Sequence, residues 1–90
     1  MKIVGRDRLA TNDRQLETAL AAWAKVVEGV EWAHIVDVRK TYKTADPVKG
    51  YVVFDIRNNR FRLITKINYK MGVVALDRVL THAEYDRWSK

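Results

Sequence analysis

The ninety-residue sequence contains no cysteine, one proline and four glycines. Without thiols it has no disulfide framework and no thiolate metal site. No apolar run approaches the roughly 20 residues that span a bilayer, and no segment has the pattern of a signal peptide. A cytoplasmic protein with no membrane association is the expectation. Acidic residues are scarce in one half only. Residues 1–48 carry eight basic and seven acidic side chains, whereas residues 49–90 carry nine and four. The net charge is +6 with a pI near 9.8, so most of the excess lies in the second half. That asymmetry favours a polyanionic partner, nucleic acid foremost, over a merely soluble surface.

What is present argues for a folded globule. Hydrophobic residues make up 48% of the chain, three tryptophans among them, and the length suits a single domain over 1–90. "MKIVG" reads as a short first strand and "RDRLAT" as one helical turn. "NDRQLETALAAWAKVVEGV" is the clearest helix, with Asn12 as its cap, Gln15 at the third capping-box position and Gly29 as its stop. Leu16, Leu20, Trp23, Val27 and Val30 form one buried stripe along it. "AHIVDVRKTYK" reads as a second helix with Ile35, Val38 and Tyr42 on one side. "TADPVKG" carries the turn formers Asp46, Pro47 and Gly50 and closes the helical half.

From residue 51 the period changes to two. "YVVFDI", "RFRLITKIN" and "VVALDRVL" read as three strands of an antiparallel meander. The fold class is therefore α+β, with an N-terminal strand and helices packed on one face of a small antiparallel sheet and a short C-terminal helix. On the middle strand Phe61, Leu63, Thr65 and Ile67 point to the helices, and Arg60, Arg62, Ile64, Lys66 and Asn68 point away. From Arg57 through Lys70 there are five basic residues and no acidic one. Alternation turns them into a basic stripe suited to a phosphate backbone. Tyr51 and Tyr69 are candidates for base stacking, although tyrosines near strand ends are as often ordinary packing.

In "VLTHAEYDRW", Thr81 with Glu84 forms a capping box, so a helix starts at His82. Its first turn carries His82 and, three residues on, Tyr85, a potential proton acceptor and donor. RNA cleavage needs little more than these and cations on the phosphate, because the 2′-hydroxyl of the RNA is itself the nucleophile. No cofactor and no metal is called for. An isolated histidine is usually a satisfied cap or surface residue, and from spacing alone that reading outweighs catalysis.

"VVFDIRNNRFRLITKINYKMGVV" followed by "THAEYDRW" resembles the HigB family of bacterial toxins, relatives of the RelE-type messenger-RNA interferases. "ALAAWAKVVEGVEW" and "DVRKTYKTAD" resemble the same family's helical region. The elements that carry the likeness are Asn59 with Arg62, then Ile67-Asn68-Tyr69, then T-H-x-E-Y-D. The resemblance implies a RelE-like fold and a ribosome-dependent endoribonuclease that cuts translated messenger RNA. It also implies a HigA-type helix-turn-helix antitoxin that forms a hetero-oligomer with the toxin. Carried over by position, Arg62 binds the scissile phosphate, Lys66 stands where relatives often have arginine, and His82 and Tyr85 transfer protons in either division of roles. Arg57, Arg60, Asn68, Lys70 and Arg78 are the candidate RNA contacts. The chain departs from the family pattern in one place. Asp77 stands where an arginine is expected five residues before the histidine, with Arg78 next; because a one-residue offset in a strand changes the face, either Arg78 substitutes through a local bulge or one phosphate contact is missing and the toxin is slower. A non-catalytic RNA- or ribosome-binding module, or a degenerate toxin kept for binding its antitoxin, fits the same charge pattern.

Overall fold

In the computed structural model the described residues are 1–9, 11–57 and 60–90. A short strand β1 (Lys2–Val4) leads through a 3-10 turn (Arg6–Leu9) to helix α1 (Arg14–Glu28), and α2 (Ile35–Thr41) follows. Strands β2 (Asp46–Val48), β3 (Tyr51–Ile56), β4 (Phe61–Asn68) and β5 (Val73–Thr81) come next, and α3 (His82–Trp88) ends the fold. The sheet order is β1-β5-β4-β3-β2. All pairs are antiparallel except β1 with β5, which is parallel. The expected α+β architecture is present, with a mixed five-stranded sheet in place of a wholly antiparallel one.

The core lies between the sheet and the first two helices. Leu16, Trp23, Ala24 and Val27 of α1, together with Trp32 and Val38, meet Val52, Phe54, Ile56, Leu63, Val74 and Leu76 of the strands. Leu20, Val30, Ile35 and Tyr42 pack at its margin, so the apolar stripes read from spacing are the buried ones. Phe54 sits at the centre. Trp23 meets its ring edge-on at 5.2 Å, Tyr42 edge-on at 5.5 Å, and Trp32 stacks at 6.0 Å. Burial raises the Tyr42 pKa, as expected for a phenol that loses water on its charged form.

Two local expectations are corrected. The cap of α1 is Asp13 and not Asn12. Its carboxylate accepts from the backbone N–H of Gln15 at 3.0 Å and of Leu16 at 3.1 Å. An ionised cap also answers the positive end of the helix, which the amide of Asn12 does not. "TADPVKG" is also not a plain turn. Asp46–Val48 pair with β3 as an edge strand, where Pro47 is tolerated because one side of an edge needs no donor. Lys49 and Gly50, at φ 54° and 84°, form the two-residue turn between β2 and β3. Both central residues at positive φ match the twist of the flanking strands.

The face of the sheet turned away from α1 is not open either. Val53 and Ile64 belong to it by alternation, yet they are only 2% and 0% exposed. Part of that face is therefore covered, and Tyr85 and Trp88 of α3 pack on it over Arg62 and Tyr51.

Phe54→Ala removes the ring that Trp23, Trp32 and Tyr42 share. A loss of about 3–5 kcal/mol, a large part of the stability of so small a domain, should appear as a lowered urea midpoint with a cooperative transition retained.

Candidate active site

Helix α3 is seven residues long, too short to stand alone in water. Its start is fixed by a complete capping box. Thr81 Oγ1 accepts from the Glu84 N–H at 3.3 Å, and Glu84 Oε1 accepts from the Thr81 N–H at 2.8 Å. Hydrogen bonding of its charged form to the Thr81 backbone N–H, and to the Thr81 hydroxyl, holds the Glu84 carboxyl below its ordinary value. The rest of the helix is held by side chains that reach the sheet. The Tyr85 ring lies over the Arg62 guanidinium at 5.6 Å, and Trp88 meets Tyr51 edge-on at 5.6 Å. Lys49, presented by the β2–β3 turn, donates to the carbonyls of Trp88 and Lys90 at 2.6 and 3.0 Å. A cation at a helix C-terminus satisfies carbonyls that have no partner within the helix.

Arg62 is the centre of the site. Its cross-strand partner is Asp55, and Arg62 Nε lies 3.0 Å from Asp55 Oδ1 with both side chains mostly enclosed, 15% and 20% exposed. The guanidinium is thus fixed from one side by a carboxylate and from above by the Tyr85 ring. Burial raises the Tyr85 pKa, and the carboxylates of Asp46, Asp55 and Asp86 add to it while Arg62 opposes it. The phenol therefore keeps its proton through the neutral range and is a donor there, not a base. Lys66 projects on the same face four residues further along β4, its Nζ 5.2 Å from the Tyr51 ring centre.

His82 is placed differently. It occupies the first position of α3 with 65% of its side chain exposed, and its Nδ1 lies 3.8 Å from Asp86 Oδ1. Tyr85 turns down onto the sheet while His82 stays at the solvent margin, so three-residue spacing does not make them a contacting pair.

The basic stripe is interrupted. Ile64, wholly buried, separates Arg62 from Lys66. Arg57, at φ 55°, and the exposed Arg60 belong to the β3–β4 connection, joined by a bond from Arg60 N–H to Arg57 O. Asn59 lies outside the described residues. At the far end, Asn68 Oδ1 accepts from the Met71 N–H and so shapes a turn, with Lys70 exposed inside it. Arg62 and Lys66 are the cations on the strand itself.

Arg78 owes its position to a β-bulge. The register runs Ile64↔Arg78 and then Thr65↔Leu76, which leaves Asp77 as the extra residue of β5. With Leu76 on the core face, strict alternation would send Arg78 there too. The bulge instead puts it opposite Ile64, in the register of the Arg62 face, and Asp77 Oδ2 receives its Nε–H.

Asp55, Asp46, Lys49 and Trp88 were not among the candidates read from the sequence. Asp55 had a usable signal: residues 55 and 62 are equidistant from the centre of the β3–β4 hairpin, so each faces the other. Lys49 and Trp88 had none, because their meeting depends on where α3 docks. Among the described residues no group of three His, Asp or Glu side chains is placed to hold a metal, and no helix is long and apolar enough to cross a membrane.

Residues 16–88 match the family model of the HigB toxin, described as the RelE-like toxic component of a toxin-antitoxin system. The chain belongs to the HigB toxin family. No curated protein matches it. The matched segment runs from α1 to the last residue of α3 and so holds Asp55, Arg62, Lys66, Arg78, His82 and Tyr85, while β1 and the 3-10 turn precede it. As the toxic component of such a system, a HigB-family protein has an antitoxin for its partner.

Asp55→Asn removes one of the anions that raise the Tyr85 pKa. The Tyr85 titration should then move down toward the ordinary tyrosine value near 10, read by NMR on ring-labelled tyrosine, while the same change at the distant Asp7 leaves it where it was.

Proposed function

We propose that this HigB-family toxin is a ribosome-dependent endoribonuclease that acts in the cytoplasm on messenger RNA under translation. The observation that carries the reading is the enclosed Arg62 beneath the protonated Tyr85, at the base of the helix that His82 opens. Family membership supports it. The chemistry follows from the RNA. Its 2′-hydroxyl loses a proton to His82, the oxygen attacks the adjacent phosphorus, and the bond to the 5′-oxygen breaks as Tyr85 gives that oxygen its proton. The products are a 2′,3′-cyclic phosphate and a free 5′-hydroxyl, and the protons balance. Charge on the phosphorane oxygens is met by the guanidinium of Arg62 and by Lys66 as a point charge. Asp55 must share or release Arg62 when phosphate arrives. His82 stands at the rim, where the ribosome-held message closes the distance that the free protein leaves open.

In this reading the antitoxin is a HigA-type helix-turn-helix protein that forms a hetero-oligomer with the toxin and withholds it from the ribosome. A second reading draws on the Asp55–Arg62 pair and on the outward His82: a protein that binds RNA or ribosomes, or only its antitoxin, without cutting.

Primer extension on programmed ribosomes separates the two. Wild-type protein should produce new 5′ ends at A-site codons. His82→Ala and Arg62→Ala should each reduce their yield by 10²-fold or more, with circular dichroism unchanged in His82→Ala and losing no more than the α3 contribution in Arg62→Ala. Stalled translation without new ends supports the binding reading. New ends undiminished in both variants overturn the assignment of these residues.

A further inference from the structure

On the helix-packed face of the sheet, α1 lies mainly against β1 and β3, and the 3-10 turn lies against β5. A cleft of about 440 Å³ is left between the turn and the helix, with Leu76 of β5 and the Trp23 ring in its lining. Its α1 side is formed by Glu17, Leu20, Ala21 and Ala24. These are positions i, i+3, i+4 and i+7, the set of four that receives one side chain of a facing helix. Two of the four are alanines, which leaves room for a large apolar side chain. Trp23 is a second, independent sign that something is to be seated here. It is 3% exposed, and its Nε1–H meets no acceptor among the described residues, a costly state for a buried donor. Trp32, by contrast, donates from Nε1 to Thr41 Oγ1 at 3.1 Å.

We propose that the antitoxin docks in this cleft with an amphipathic helix, which seats one large apolar side chain among Leu20, Ala21 and Ala24 and turns acidic residues toward Arg6. That the partner is an antitoxin follows from family membership; nothing in the docking rests on the nuclease reading. The charge of the helix follows from the rim. Arg6 lines the turn side of the cleft, and Arg8 lines a smaller depression that continues it past Leu9 and Thr11. Their side chains are 55% and 64% exposed, and their ion pairs are with Glu28 at 3.0 Å and Asp77 at 3.5 Å. Exposed pairs of this kind are weak and exchange readily for a partner's carboxylates. A chain of charge +6 also draws an acidic partner. Glu17 on the opposite wall sets the orientation, since it repels an acid that Arg6 attracts. An acceptor carried beside the apolar side chain completes the Trp23 indole. Leu76 belongs to the core cluster, on the face opposite Arg62, so changes in the cleft leave the Arg62–Tyr85 pair untouched.

Isothermal titration calorimetry of the purified toxin with the antitoxin of the same system tests the docking. Ala21→Trp, which fills the hole from an exposed helical position, should weaken the complex about tenfold or more. Ala22→Trp, equally exposed but off the cleft, should bind as the wild type does. Arg6→Glu should weaken the complex about tenfold at low salt and less as salt rises. Ala21→Gln, smaller and compatible with the helix, should act in the same direction as Ala21→Trp, so that a folding fault of the larger variant, seen by circular dichroism, does not decide the result. In NMR spectra the Trp23 indole N–H signal should move on complex formation while that of Trp32, already bonded to Thr41, stays. Wild-type affinity in Ala21→Trp and Ala21→Gln, with the Trp23 signal unmoved, overturns the docking and leaves the nuclease reading standing. Equal weakening by Ala21→Trp and Ala22→Trp overturns it too, because the hole then has no part in the effect. Self-association of the free toxin that Ala21→Trp abolishes and the antitoxin does not displace gives the cleft to a second copy of the chain and overturns the proposal.

Discussion

The ring of Phe54 is the contact on which the rest depends. Trp23 of α1, Trp32 of the connection and Tyr42 at the end of α2 all pack on it, so both helices are tied to one position of one strand. Because successive side chains alternate, a Phe54 fixed toward the helices fixes Asp55 toward the opposite face. The β3–β4 register then places Arg62 against Asp55. A slip of one residue would expose the aromatic cluster and bury the carboxylate together, a combined cost that specifies the register strongly. The site on one face is thus held by the core on the other.

Helix α3 inverts the usual relation between element and packing. Seven residues do not sustain a helix by propensity, and none of them is buried. Its start is local, the capping box, and its course is tertiary: Tyr85 on Arg62, Trp88 against Tyr51, Lys49 on the final carbonyls. The residues that dock the helix therefore include the one offered as proton donor. Enclosure of Tyr85 both anchors the helix and keeps the phenol protonated, since burial is the leading cause of its raised pKa. Those two roles cannot be separated by a change that removes the ring.

What was legible in the sequence was what depends on near neighbours. The α1 stripe, the three main strands, the inward set of β4 and the Thr81–Glu84 box all follow from spacings of two to four residues. Asn12 and Asp13 are adjacent cap formers, and choosing between them requires knowing which one adopts the extended backbone; Asp13 does, at φ −81° and ψ 105°. The continuous basic stripe failed because alternation assigns a face and not an exposure: Ile64 lies among the cations by register, yet α3 and its neighbours cover it. The bulge at Asp77 was one of two alternatives that the sequence left open, for a related reason. Nothing within β5 marks an inserted residue until β4 is laid beside it.

Placement also sorts the cations by the work each can do. A charge of +6 draws an anion from a distance, but attraction of that kind is screened within about 10 Å at 0.1 M salt and does not choose an atom. Arg62, enclosed, paired and capped by a ring, contributes little to capture. In its lower-dielectric setting, though, it interacts strongly with charge that forms during a reaction. Arg8 and Arg78 are the converse, accessible, with donors to spare and well screened. Asp55 and Asp77 have matching parts, each holding an arginine in place on its strand.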